Sequence, residues 1–215
     1  MLKAVILDMD GVIVDSEPIR EEVHRLLGKE FGYRLKKEDW DTIRGKTAEA
    51  NIKYLIRKYA PNVSYEYFTK RKDEIFDSML HKIKAFSGFE RFMNRIKGHK
   101  VTVATSSTRK NAEAVLKLCK IRHHFEIIVT GCDVRNSKPH PEAFLKAAKK
   151  LKVDPKECVV VEDSINGVKA AKAAGMKVIA VTTSHKKKEL MEADLITRDI
   201  GSITKSMLGS LGGEA

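Results

Sequence analysis

Two carboxylates one residue apart, Asp8 and Asp10, follow directly on the apolar run Ala4-Val5-Ile6-Leu7. A short aliphatic run of this kind reads as a buried strand. Placing two ionised carboxylates at its end is costly unless something positive sits between them. The same setting recurs along the chain. Thr105-Ser106-Ser107 follows Val101–Ala104, Lys138 lies in SKPHPE beyond Ile127–Val129, and Glu162-Asp163-Ser164 follows Val159–Val161. Taken singly, each has an ordinary reading. Asp-x-Asp can be a turn, Thr-Ser-Ser a helix cap, Lys138 a solvated lysine in a rigid turn, and EDSINGVKAAKAAG a capped helix closing on glycine. Taken together, their order and common placement point to one active site.

The chemistry that suits these groups is phosphoryl transfer through an aspartyl-phosphate. Asp8 is ionised at neutral pH and is nucleophilic without a separate base, and the acyl-phosphate it forms is open to attack by water. A carboxylate approaches a phosphate dianion only if the repulsion is screened. Mg²⁺ does this using few carboxylates, and Lys138 adds a second positive charge. Thr105 and backbone N–H groups at the start of the next helix can hold the phosphoryl oxygens. Asp10 is placed to protonate the leaving oxygen and then activate water.

These side chains need a frame that brings four distant segments together. From residue 98 onward short apolar runs alternate with amphipathic segments: Val101–Ala104, Ile127–Val129, Val159–Val161, Val178–Val181 and a weaker run at Asp194–Ile196. Helical spacing fills the gaps, as in Ala112, Val115, Leu116 and in Val168, Ala171, Ala174. Fully apolar strands alternating with helices predict an α/β fold with a parallel sheet covered on both faces, and residues 3–7 join it by composition. Strand C-termini then share one edge, where ligands of open α/β sheets bind. Residues 16–84 differ, with apolar residues at helical spacing and no period-2 segment. Asp15 or Ser16 is expected to cap their first helix, with Pro18 in its first turn. The expected domains are a core, 1–15 with 85–215, and an all-helical cap, 16–84, inserted beside the site. Val12-Ile13-Val14 is expected to lead out to that cap, and the tail GSLGGEA to fray.

Composition narrows the class. The chain has 215 residues, 41 Lys+Arg against 29 Asp+Glu, a net charge of +12 and no glutamine. The positive excess is spread over short clusters, without a basic arm or aromatic-interleaved strand, so the expectation is attraction of small anions and no nucleic-acid partner. No run reaches the length of a membrane span, and no signal peptide is visible, so the expected setting is cytoplasmic. Three cysteines without CxxC spacing predict buried or half-buried thiols. Abundant Lys and Glu without Gln follow the compositional trend of hyperthermophile proteins.

DMDGVIVDSE, VATSS, SKPHPE and VVVEDSINGVKAAKAAGM, in that order, resemble the four motifs of the haloacid dehalogenase superfamily, in the branch with a helical cap after the first strand. The resemblance spans the whole chain. It implies a Rossmann-like core with a helical cap. It also implies Asp8 as nucleophile and metal ligand, Asp10 as acid/base offering its backbone carbonyl to Mg²⁺, and Thr105 and Lys138 as phosphoryl-binding groups. Asp163, with Glu162, would complete the metal site. Aspartate at position 10, where true dehalogenases carry an aromatic residue, favours phosphate over halide chemistry. Within the branch the resemblance leaves two outcomes, a small-molecule phosphatase and a β-phosphoglucomutase. Glu162-Asp163 and the Thr-Ser-Ser segment suit the mutase, but Arg20 stands where the mutase has histidine and Ala48 where it has arginine. Phosphatase is therefore the leading expectation. Ser106, Ser107, Arg44, Lys46 and Arg20 are the expected substrate contacts, although the cap residues also read as surface charge. The partner is a small phosphorylated metabolite and the protein a monomer or weak homo-oligomer. A receiver-type signalling domain is disfavoured, because it is shorter and lacks the cap.

Overall fold

The computed structural model describes residues 1–212. The apolar runs became strands, each within a residue of its expected ends: β1 (Ala4–Leu7), β4 (Lys100–Ala104), β5 (Ile128–Val129), β6 (Cys158–Glu162), β7 (Lys177–Val181) and β8 (Leu195–Thr197). They form one parallel sheet in the order β5-β4-β1-β6-β7-β8. The chain builds outward from β1 to β4 and β5, then returns to the other side of β1 with β6. That reversal opens a crevice beyond the C-terminal ends of the central strands. Leu7 pairs with both Val103 and Val161, so the residues that follow, Asp8, Ala104 and Glu162, come level at that edge.

Both faces of the sheet are covered, which is why its central strands carry apolar residues at every position. Val5, Leu7, Val103 and Val161 pack with α5 (Phe89–Arg95) and α6 (Arg109–Leu118), through Phe89, Phe92, Val115 and Leu116. Ala4, Ile6, Val160 and Val178 pack with α7 (Glu142–Leu151) and α8 (Ile165–Ala173), through Phe144, Ala147, Val168 and Ala171.

Between the two short strands β2 (Val14–Asp15) and β3 (Lys84–Ala85) lie four helices: α1 (Glu17–Phe31), α2 (Lys37–Ile43), α3 (Ala48–Tyr59) and α4 (Tyr65–Met79). Val23, Leu27, Ile52, Leu55, Phe68 and Phe76 are among their buried residues. Among them Asp39 is fully buried and accepts hydrogen bonds from Tyr54 (2.7 Å), Tyr59 (2.6 Å) and the Lys36 N–H (2.7 Å), with Lys58 as its counter-charge.

Several details differ from expectation. β2 and β3 pair antiparallel as the neck of the helical segment, Val14 opposite Ala85, where no strand pair was expected. Val12-Ile13-Val14 leads out to the helical segment as expected, but by a tight turn over 11–13 folded back on Met9, whose carbonyl accepts from Ile13 (2.9 Å) and Val14 (3.1 Å), with Val12, Ile13 and Val14 all fully buried. The tail is helical over α9 (Lys205–Gly212), because Leu208 is buried in the same cluster as Ile200 and Ile203; Gly213, Glu214 and Ala215 lie outside the described residues. Finally, all three thiols are free, Cys158 buried and Cys119 half-buried, but Cys132 is exposed in a surface turn. Among the described residues no helix is long and apolar enough to cross a membrane.

Candidate active site

At the C-terminal edge of the sheet Lys138, only 2% exposed, reaches between two carboxylates. Its Nζ donates to Asp8 Oδ1 and to Glu162 Oε1, both at 2.6 Å. Glu162 is held from the other side as well. Its Oε2 accepts from the Asp163 and Ser164 N–H groups, both at 2.8 Å, and from Ser164 Oγ at 3.0 Å. Gly167 permits this, since a Cβ there would lie 1.8 Å from Glu162 Oε1. Ser164 caps α8, accepting from the Gly167 N–H at 3.0 Å.

Asp8, Glu162 and Asp163 each offer a carboxylate oxygen within 4.8 Å of the others. Three buried carboxylates thus share one ammonium. Burial pushes the Asp8 carboxyl up, to about 7, and the Glu162 and Asp10 charges add to this against the opposing pull of Lys138. Burial, then Glu162 and Asp8, also raise Asp163 well above the usual carboxylate range. Burial also opposes ionisation of Glu162, but Lys138 together with the Ser164 hydrogen bonds outweighs it and holds the carboxyl below its ordinary value. A cluster of hard oxygen donors with excess negative charge fits a hard divalent cation such as Mg²⁺. The Asp163 side chain is fixed by Ser184 Oγ and sits against Gly11, whose φ of +80° and missing Cβ allow the approach.

Asp10 has different surroundings. Oδ1 accepts from Ser16 Oγ at 2.6 Å, while Oδ2 accepts from Ser107 Oγ at 2.8 Å and faces Arg20 Nη2 at 2.5 Å. Burial opposes ionisation here, but Arg20 and the hydrogen bonds from Ser16 and Ser107 outweigh it and hold Asp10 below the usual range. Ser16 therefore corrects the expectation of a helix cap. It occupies the N-cap position of α1, but with αR backbone in place of the extended cap geometry its hydroxyl is turned to Asp10, to which it donates, and makes no cap hydrogen bond. Thr105 is buried, 3.4 Å from Asp10 Oδ2, and accepts from the Ser107 N–H at 3.1 Å.

The helical segment closes over these groups. Ser106 Oγ donates to the Gly45 carbonyl at 2.7 Å and Asn166 Nδ2 to the Arg44 carbonyl at 2.8 Å. Gly45 adopts φ +77° at this contact, and a Cβ there would lie 2.7 Å from Ser164 Oγ. The cavity between core and helices is lined from the sheet edge by Asp8, Asp10 and Asp163 and from the helical segment by Arg20, Trp40 and Lys46.

Of the residues singled out in the sequence, Asp8, Asp10, Arg20, Arg44, Lys46, Ser106, Glu162 and Asp163 line the cavity, while Thr105, Ser107 and Lys138 stand behind it against Asp10 and Asp8. Arg44 lines it but directs its guanidinium to Glu17 (3.0 Å) and over Trp40 (5.4 Å). The Lys46 ammonium makes no ion pair or hydrogen bond among the described residues. His24, Trp40, Asn51, Asn166 and Ser184 also belong to the site and were not foreseen. Ser184 had a usable signal, since Thr182-Thr183-Ser184 follows the apolar run Val178–Val181 just as Thr105 follows its own. The others lie on helices or in turns, where spacing alone does not say which face meets the sheet edge.

Comparison with known proteins matches residues 5–181 to the model of a family described as haloacid dehalogenase-like hydrolase. YhcW of Bacillus subtilis, a protein named for phosphatase activity, is 38% identical over 84% of this chain and 84% of its own. The phosphorylated carbohydrates phosphatase of Thermotoga maritima is 32% identical over 91% and 93% of the two chains. Among solved structures, β-phosphoglucomutase of Clostridium difficile superposes with a TM-score of 0.88 at 25% identity, covering 100% of this chain and 98% of that one.

Proposed function

The chain belongs to the haloacid dehalogenase-like hydrolase family, and on that premise we propose that it is a Mg²⁺-dependent phosphatase of small phosphorylated metabolites working through an aspartyl-phosphate. The observation that carries this reading is the buried Asp8–Lys138–Glu162–Asp163 cluster, facing the same cavity as Asp10. In the reaction proposed, Asp8 Oδ2 attacks phosphorus while Lys138 holds Oδ1. The bond from phosphorus to the ester oxygen breaks, and Asp10, which Arg20, Ser16 and Ser107 hold ionised here and which must therefore first take up a proton from solvent, delivers it to that oxygen. Asp10, now ionised, takes a proton from water, which attacks phosphorus and releases inorganic phosphate and the free Asp8 carboxylate. Arg20, Ser16 and Ser107 favour the ionised form of Asp10 that this second step uses. Thr105 and Ser106 lie beside the path of the phosphoryl oxygens. Asp8, Asp163, Glu162 and the Asp10 backbone carbonyl would hold Mg²⁺, which supplies charge screening between nucleophile and phosphate.

Residues 16–84 act in this proposal as a cap domain on a core formed by 1–15 and 85–215, excluding bulk water and selecting the leaving group. The test is Asp8→Asn. Hydrolysis of 4-nitrophenyl phosphate with Mg²⁺ should fall by at least about 10³-fold, on the scale seen when a covalent nucleophile is removed. Full retained activity would show that Asp8 is not the nucleophile. A phosphosugar mutase is the second reading, favoured by the full-length likeness to β-phosphoglucomutase. It requires conversion of glucose 1-phosphate to glucose 6-phosphate with a bisphosphate primer, and no conversion in that coupled assay removes it.

A further inference from the structure

The segment after β7 directs its side chains to other loops. Glu162 stands opposite Ala180 in the sheet, so residues 182–185 leave β7 close to where Asp163 and Ser164 leave β6. The Thr182 N–H donates to the Thr197 carbonyl at 3.0 Å and roots the segment beside β8. Three consecutive residues then turn to the loops that carry the carboxylates. Thr183 Oγ1 donates to the Gly11 carbonyl at 2.5 Å. Ser184 Oγ donates to Asp163 Oδ2. His185, 7% exposed, lies with Nδ1 3.0 Å from the Asp163 carbonyl, and since a carbonyl only accepts, Nδ1 carries the proton. A turn that served only itself would bond its own backbone, as Asp199 does with the Ser202 N–H at 2.9 Å.

Each bond removes a freedom that bears on holding a cation. Ser184 engages Oδ2, while Oδ1 accepts no hydrogen bond among the described residues, so the carboxylate is oriented with one oxygen left to ligate. The peptide that follows Asp163 is held at both ends, its carbonyl by His185 and its N–H, that of Ser164, by Glu162 Oε2 at 2.8 Å. Gly11 is held likewise: its N–H donates to the Val14 carbonyl at 2.9 Å and its carbonyl accepts from Thr183. The two loops meet at this glycine, where a Cβ would lie 2.0 Å from Asp163 Oδ2 and 2.8 Å from Ser184 Oγ. One segment thus ties the residue after Asp10 to Asp163, and none of its three side chains lines the cavity. We propose that Thr183, Ser184 and His185 are positioning residues for the divalent cation, setting its affinity through the spacing between Asp163 and the Asp10–Gly11 peptide. This assignment rests on the Mg²⁺-dependent reading above and deepens it. Mg²⁺ demands near-ideal octahedral geometry whereas Ca²⁺ tolerates irregular shells, so loosening this clamp acts on Mg²⁺ first.

The test is isothermal titration calorimetry of the EDTA-stripped, full-length protein with Mg²⁺ and with Ca²⁺, alongside its melting temperature in EDTA. Ser184→Ala and Thr183→Val remove one hydroxyl each and should weaken Mg²⁺ binding by about 10-fold or more, the scale for losing a partner of a ligating group. Ca²⁺ binding should weaken less, so the ratio of Mg²⁺ to Ca²⁺ affinity should fall by about threefold or more. His185→Asn, whose amide can donate in place of Nδ1, should stay within about threefold of the unaltered protein, and His185→Leu should bind Mg²⁺ about 10-fold more weakly. Unchanged Mg²⁺ affinity in Ser184→Ala and Thr183→Val overturns the proposal, whether or not their melting temperatures fall. So do equal losses for both ions. Equal weakening by Asn and Leu at position 185 removes His185 from it, and the two hydroxyl variants decide alone if His185→Leu does not fold. Hydrolysis of 4-nitrophenyl phosphate by the unaltered protein tells two failures apart. With neither Mg²⁺ binding nor hydrolysis the metal-dependent phosphatase reading itself falls, and with both intact but the variants unaffected only the clamp does.

Discussion

Removing the ammonium of Lys138 exposes how the site is balanced. Lys138→Met keeps the length and apolar stem of the side chain but leaves Asp8 and Glu162 buried without a counter-charge. Two charge-assisted hydrogen bonds are lost, each worth about 1.5–3 kcal/mol, and breaking a buried ion pair from one side costs about 3–5 kcal/mol. The two figures agree, and about 4 kcal/mol is a large part of the roughly 5–15 kcal/mol that holds a domain folded. At about 2–4 °C per kcal/mol for a chain of this size, the melting temperature should drop by roughly 8–16 °C. The sign with pH follows from the carboxylates. Without Lys138 the folded-state pKa of Asp8 rises further and that of Glu162, otherwise held low by Lys138, is pushed up by burial, so the folded form binds protons more tightly. Stability is then retained below the unfolded range of about 4 and lost as pH rises through the folded-state values. The variant's deficit, measured by circular dichroism in EDTA, should therefore be larger near pH 8 than near pH 5. A loss under about 1 kcal/mol near pH 8, or a deficit that grows toward acid, would refute this account of the cluster.

The same electrostatics give a metal-binding prediction. In the metal-free protein Asp8, raised to about 7, and Asp163, also raised, cost stability as pH rises through neutrality, so Mg²⁺ should raise the melting temperature more near pH 8 than near pH 5. Equal shifts at both pH values, by differential scanning fluorimetry, would count against binding at this cluster. Asp39 works in the opposite direction. Burial raises its pKa, but Lys58, Tyr54 and Tyr59 outweigh this and depress it, so its contribution is present above the unfolded value and fades as pH falls. Asp39→Asn should destabilise the protein by about 1.5–3 kcal/mol at neutral pH and less in acid, as read from urea unfolding at several pH values. Gly11→Ala places a Cβ 2.0 Å from Asp163 Oδ2 at a φ of +80°, displacing that carboxylate. Mg²⁺ affinity by calorimetry should weaken by at least about tenfold, with a stability loss of about 1–3 kcal/mol from the backbone conformation.

The frame was legible because its signals are local. Val159-Val160-Val161 has no polar residue to place in water, so it must be a strand covered on both faces, and the residue after it must stand at a sheet edge. The same reasoning located Asp8, Thr105 and Asp163 before any coordinates, and Lys138 through its segment. What did not show was the direction of side chains on helices and turns. Arg20 reads in the sequence as one more basic residue in a helix of mixed charge. Only the packing of α1 over the sheet edge aims it at Asp10 and Ser107. Ser16 looked like a helix cap because the residue type suits that position, and whether its hydroxyl turns to the helix or to a carboxylate depends on a neighbour that the turn over 11–13 brings close. Ser184 and Asn51 come from segments far apart in the chain that carry no motif of their own. The sequence by itself determined which side chains the proposed chemistry draws on and that they follow apolar strands, since strand, charge and nucleophile are properties of residue type and local pattern. Tertiary structure alone decided how those charges are divided, with Lys138 among three carboxylates and Arg20 beside Asp10, because pairing at 2.5–2.6 Å is a matter of where separate segments meet.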